Sequence, residues 1–96
     1  MLSIKPNCEH CNTALPNTSK EAMICSFECT FCKECVDTIL KNVCPNCGGG
    51  FTKRPTRPKH LLEKYPIDTK IIHKPLDMNV FEKILQKFKD VDPRKR

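Results

Sequence analysis

Eight cysteines fall within the first 47 of 96 residues, in four close pairs: Cys8-x2-Cys11, Cys25-x3-Cys29, Cys32-x2-Cys35 and Cys44-x2-Cys47. Two thiolates three residues apart on a tight turn can face one tetrahedral ion. Eight such ligands make two closed four-cysteine sites. A closed site offers no coordination position to water or substrate, so it holds structure rather than performing catalysis. Zinc is the expected metal, two Zn²⁺ per chain, with iron the other metal suited to an all-sulfur tetrahedron.

Competing uses of cysteine fit less well. The opening MLSIKPNC has no apolar segment of the kind found in export signals. No run approaches eighteen apolar residues. The expectation is therefore a cytoplasmic chain without a membrane partner, in a compartment where disulfides are rare. A redox Cys-x-x-Cys would need a βαβ setting, for which the chain before Cys47 has no room.

Spacing alone leaves two wirings open. In the sequential one, Cys8, Cys11, Cys25 and Cys29 share one ion, and Cys32, Cys35, Cys44 and Cys47 share the other. In the interleaved one, Cys8, Cys11, Cys32 and Cys35 form site 1, and Cys25, Cys29, Cys44 and Cys47 form site 2.

No other constellation supports catalysis. Glu28 and Glu34 have no nucleophile, base and pocket beside them, so the chain is expected not to be an enzyme. His10, between Cys8 and Cys11, reads as an exposed knuckle residue, because eight cysteines already fill two sites. Phe27 and Phe31 read as packing around those sites rather than as stacking platforms.

A chain of 96 residues buries a marginal core and needs a staple, which the metals would supply. Three segments are expected: a cysteine module at 5–50, a basic Pro-containing arm at 51–76 and an amphipathic helix at 77–90. Within the module, Val36, Ile39, Leu40 and Val43 have the spacing of a short amphipathic helix. In the arm, HLLEKY at 60–65 has room for one helical turn before Pro66. In the last segment Asp77 can cap the helix, and Val80, Phe81, Ile84, Leu85 and Phe88 form one apolar stripe. A helix this short is marginal alone, so the stripe must pack on something. Its own module comes first, then a second copy in a homodimer, or a partner's groove.

Charge divides the chain as sharply as cysteine does. Residues 1–50 carry −1 and residues 51–96 carry +7. Eight thiolates holding two dications would take the first half to −5. The densest basic run, Lys53, Arg54, Arg57 and Lys59, could meet nucleic acid or an acidic partner. The basic second half could equally fold back on its own acidic module.

The cysteine ladder resembles the RING finger. Pro45 within Cys44-Pro45-Asn46-Cys47 matches the final Cys-Pro-x-Cys of that module, Phe31 precedes Cys32, and the short helix follows Cys35. The resemblance implies a small zinc-stabilised α+β fold with the interleaved, cross-brace wiring. Cys29 stands where RINGs usually have histidine. A LIM module wires sequentially, but the gap of eight residues before Cys44 is short for one. Ligase RINGs dock a conjugating enzyme through an apolar residue after the first cysteine and often a cation after the last. Here those places hold Glu9 and Gly48, so ubiquitin-ligase-like activity is the least favoured reading. PNCEHCNTALP, EAMICSFECTFCKECV and VCPNCGGGF, followed by RPTRP and LLEKYPIDTK, are also similar to a bacterial family of small cysteine-rich proteins, domain of unknown function 1272. That resemblance implies a bacterial RING-like protein and assigns no activity. The leading expectation is a zinc-binding adaptor that presents a surface to another protein. A nucleic-acid-binding regulator using the basic arm is the alternative.

Overall fold

The hairpin that carries the second cysteine pair organises the first half of the chain. The computed structural model describes all 96 residues. Strands β1 (Ala22–Ile24) and β2 (Thr30–Cys32) run antiparallel, with Ala22 opposite Cys32 and Ile24 opposite Thr30. The connecting loop reverses through Glu28, a non-glycine residue at φ 65°. That conformation is strained by roughly 1–2 kcal/mol, so the loop needs something to hold it. A third strand, β3 (Thr52–Lys53), adds to the other edge of β1, giving the order β2-β1-β3.

β2 runs directly into a short helix, α1 (Lys33–Cys35), which widens into a π-helical turn over Val36–Leu40. Lys41 and Asn42 both adopt left-handed backbone, at φ 50° and 61°, and end it. The helix therefore stops short of Val43, although Val36, Leu40 and Val43 are all buried as their spacing predicts.

Only 21 of 96 residues are buried, too few for apolar burial alone to hold a unique fold with much margin. Six of the fourteen residues in the central cluster are cysteines, so the thiols are part of the core itself. Phe31 and Phe51 meet edge to face beside them, ring centroids 5.5 Å apart.

Prolines alternate with basic residues over 51–60, a composition that predicts an extended, solvated path, and the arm departs from it. Arg54 is 5% exposed. Its guanidinium donates to the Lys5 carbonyl at 2.7 Å, the Leu15 carbonyl at 3.0 Å and the Pro16 carbonyl at 2.9 Å. Arg57 donates to the carbonyls of Tyr65, Pro66 and Leu2. Asn17 closes the arrangement by exchanging two hydrogen bonds with the Arg57 backbone. Irregular segments at 2–6 and 15–17 expose carbonyls without ladder partners, and the guanidinium fork satisfies several of them at once. Arg54 and Arg57 are thus withdrawn from the expected partner-contact run, leaving Lys53 and Lys59 exposed. A 3-10 turn at Lys59–Leu61 falls where a helical turn is expected.

The last helix, α2 (Met78–Phe88), begins at Asp77, whose Oδ1 accepts from the Asn79 backbone N–H at 3.0 Å. Phe81 is 1% exposed within the core cluster, and Ile84, Leu85 and Phe88 pack against that cluster. The stripe is consequently taken up by its own module, which removes Phe81 as a free partner contact. Val80, at the stripe's margin, is the member that stays exposed, at 59%. The result is a small α+β fold with a C-terminal helix laid across its cysteine half. No helix is long and apolar enough to cross a membrane.

Candidate metal centre

The first cysteine pair sits on a tight loop. The Cys8 N–H donates to the Thr13 carbonyl at 2.8 Å, and the Asn12 N–H donates to the Cys8 carbonyl at 3.0 Å. Asn12 turns left-handed, at φ 63°, to allow it. The third pair is presented from the end of β2 and from α1. Cys32 caps α1, its sulfur accepting from the Cys35 N–H at 3.5 Å. These two pieces bring the sulfurs of Cys8, Cys11, Cys32 and Cys35 within 4.8 Å of one another. Cys8 and Cys35 are 3.9 Å apart and Cys11 and Cys32 are 3.7 Å apart.

The second group draws on the β1–β2 loop and on the turn after α1. Cys25, Cys44 and Cys47 place their sulfurs within 4.8 Å of one another. Cys29, the fourth cysteine expected there, is buried nearby, but its sulfur does not lie within 4.8 Å of all three. The turn at Cys44 is closed by the Gly48 N–H on the Cys44 carbonyl and the Cys44 N–H on the Gly49 carbonyl, both at 2.8 Å. Three further N–H groups aim at sulfur: Phe27 N–H at Cys25 (3.4 Å), Gly49 N–H at Cys47 (3.4 Å) and the Asn46 side-chain amide at Cys29 (3.3 Å). Donors pointing at sulfur favour its thiolate form and orient it for a cation.

Crowding splits the acidities of these thiols. A hydrogen bond from Cys44 takes Cys29 down to about 5, while the same bond holds the Cys44 proton and raises its pKa. Burial pushes Cys25 up to about 11. Burial also raises Cys32 and Cys35. At Cys11 burial acts upward, but hydrogen bonds from Thr13 outweigh it and bring the thiol to about 7. Thiols packed this closely share protons, because four adjacent negative charges repel one another. A divalent cation in their midst removes that restriction and favours thiolate throughout. Both groups have the donor chemistry to hold a metal ion.

Side chains of little note in the sequence support these loops. Glu9 is buried, and its Oε2 accepts from the Thr30 N–H at 2.5 Å, while its own N–H donates to the Thr30 carbonyl. This ties the first loop to β2. His10 is not a spare knuckle residue: its Nδ1 accepts from the Leu76 N–H at 3.0 Å. Asn7 reaches the Ile72 carbonyl at 2.8 Å. The Arg-Pro-Thr-Arg-Pro run is the one legible hint of the arginine clamps. Each arginine precedes a proline and is thereby biased to extended backbone, which aims the two side chains along a fixed path.

Comparison with known proteins places the chain in one family. Residues 1–57 match the family described as Protein of unknown function (DUF1272). A relative from Rhizobium meliloti (strain 1021), "Uncharacterized protein R02474", is 55% identical over 75 residues, covering 78% of this chain and 89% of the relative. No solved structure matches the chain.

Proposed function

The chain belongs to the DUF1272 family, and from that premise we propose that it is a non-enzymatic module built on two structural zinc ions, whose role is to present a surface to a protein partner. Cys8, Cys11, Cys32 and Cys35 hold the first ion. Cys25, Cys29, Cys44 and Cys47 hold the second. This is the RING-like cross-brace, in which each ion ties together segments that the other ion's ligands interrupt.

One observation carries the reading. A tetrahedron with zinc–sulfur bonds of about 2.3 Å has edges of about 3.8 Å. The Cys8–Cys35 and Cys11–Cys32 separations, 3.9 and 3.7 Å, are two opposite edges of such a figure. Two of the six edges among the sulfurs of residues 8–11 and 32–35 match that figure, and all six are within 4.8 Å, which supports a tetrahedral ion there. The closed ligand count supports a structural rather than catalytic role. The burial of Glu9 against Thr30 removes a position through which a ligase RING would dock its enzyme, and so favours the non-ligase reading.

The test is elemental analysis of freshly purified chain, with X-ray absorption at the metal edge. Two zinc ions per chain, each with four sulfur neighbours near 2.3 Å, are expected. Fewer than two metals, or nitrogen or oxygen in the coordination sphere, would end the two-site assignment. A partner that stays bound at high salt supports a protein-docking role. Binding to heparin that collapses between low and moderate salt points instead to nucleic acid.

A further inference from the structure

Residues beyond the family match form a strap that spans both cysteine loops. At one end it is pinned to the first loop. The Lys74 N–H donates to the Glu9 carbonyl at 2.8 Å, and the Leu76 N–H donates to His10 Nδ1 at 3.0 Å. At the other end it is seated on the second loop. The Phe88 ring lies so close over Gly48 that a Cβ there would stand 2.7 Å from it, and Pro93 crowds Gly50 in the same way at 2.8 Å. Arg96 Nη1 then donates to the Asn42 carbonyl at 2.7 Å and the Gly48 carbonyl at 3.1 Å. Between the two ends Phe81 is plugged into the core. Beside it remains a cleft of about 220 Å³ bordered by Phe31, Pro45, Leu76 and Val80.

The far anchors depend on the backbone of one loop. Gly48 is held at φ 78° directly after Cys47, and its carbonyl and that of Asn42 must both face Arg96. Metal binding supplies the folding energy of such a loop. α2 has eleven residues, below the length that is stable alone in water. Once unseated it melts.

We propose that this strap is a metal-gated flap: α2 and the tail stay docked while the Cys25, Cys29, Cys44 and Cys47 set holds its ion, and they lift when that ion leaves, hinging at the first loop. The proposal rests on the two-zinc reading above. Lifting uncovers the apolar surface under Phe81 and the adjoining cleft, so loss of one ion changes what the module offers a partner. Coupling of this kind is reciprocal. A docked strap must therefore also slow loss of that ion.

Amide hydrogen exchange on the full chain, read by mass spectrometry during stepwise chelation, tests this directly. As the zinc equivalent held by Cys25, Cys29, Cys44 and Cys47 leaves, identified as the one that Cys25→Ser lacks, the amides of 78–96 are expected to lose protection together, about tenfold or more, while those of Lys74 and Leu76 keep theirs. Phe88→Ala, measured with both ions still bound, is expected to loosen 85–96 and to speed loss of one equivalent about tenfold, leaving the other unchanged. Cys47→Ser should open 78–96 without any chelator. Two ions present, with 78–96 indifferent to their removal, would overturn the flap alone. A fresh chain with α2 docked and no metal would overturn the flap and the two-zinc reading together.

Discussion

Replacing Arg54 separates two readings of the basic arm most sharply. Were the arm a phosphate-binding strip, Arg54→Lys would keep the charge and leave the fold untouched. The structure predicts otherwise. The guanidinium spans two chain segments through three hydrogen bonds of 2.7–3.0 Å, and a point-like ammonium cannot reach all three acceptors. Burial presses the Arg54 pKa downward, which reflects the cost of holding this charge away from water. A hydrogen bond to a charged group contributes about 1.5–3 kcal/mol net, and removing a buried charged donor leaves its acceptors unpaired. Part of the loss is returned because the guanidinium no longer has to be desolvated. The expected destabilisation for Arg54→Met is about 3–5 kcal/mol, out of the ~5–15 kcal/mol available to a domain. Arg54→Lys should lose somewhat less. The assay is thermal unfolding at fixed excess zinc, since ligand concentration shifts the midpoint, with Lys53→Ala as the exposed control. For a chain this size 1 kcal/mol moves the midpoint by roughly 4–8 °C, so both Arg54 variants should fall well below the control. If Arg54→Met melts within about 2 °C of wild type, the clamp is not structural and the reasoning fails.

Three further outcomes are expected. Cys8→Ser and Cys32→Ser should each release the same zinc equivalent, and Cys25→Ser the other; a shared equivalent for Cys8 and Cys25 would restore the sequential wiring. Gly48→Ala, which combines positive φ with a Cβ 2.7 Å from the Phe88 ring, should destabilise the chain by about 1–2 kcal/mol. Combining it with Phe88→Ala should recover only the steric share in a double-mutant comparison. Zinc retention should weaken as pH falls. Cys44 and Cys25 are protonated at neutral pH without a metal, with pKa raised and raised to about 11 respectively. Zinc must displace those protons, and affinity consequently rises with pH. Titration calorimetry at one pH in buffers of different ionisation heat should detect at least two protons released for that ion, and an absence of proton release would contradict the thiolate assignment.

The chemistry of the cysteine half was legible because ligand spacing is local. Cys-x-x-Cys places two sulfurs on one turn whatever the rest of the chain does. Periodicity likewise marked out α2, with Asp77 at its start. The clamps at Arg54 and Arg57 were hidden for the opposite reason. Their acceptors are the main-chain carbonyls of Leu2, Lys5, Leu15, Pro16, Tyr65 and Pro66, which carry no side-chain signature. Composition suggested a solvated arm because an arginine reads as exposed unless its partners are known. His10 reads as exposed for the same reason, since its acceptor role depends on a backbone N–H 66 residues away.

What the sequence determined by itself was the inventory: eight soft ligands in four pairs, a fold too small to be held by apolar burial, and a terminal helix that must lie on something. Which pairs converge was settled in space. Cys8 and Cys11 converge with Cys32 and Cys35, and Cys25 converges with Cys44 and Cys47, because the β1–β2 hairpin sets Cys25 apart from Cys32. The resting place of the helix was also a tertiary decision. Phe88 can cover the second loop only because Gly48 has no side chain, and that fit belongs to neither segment alone.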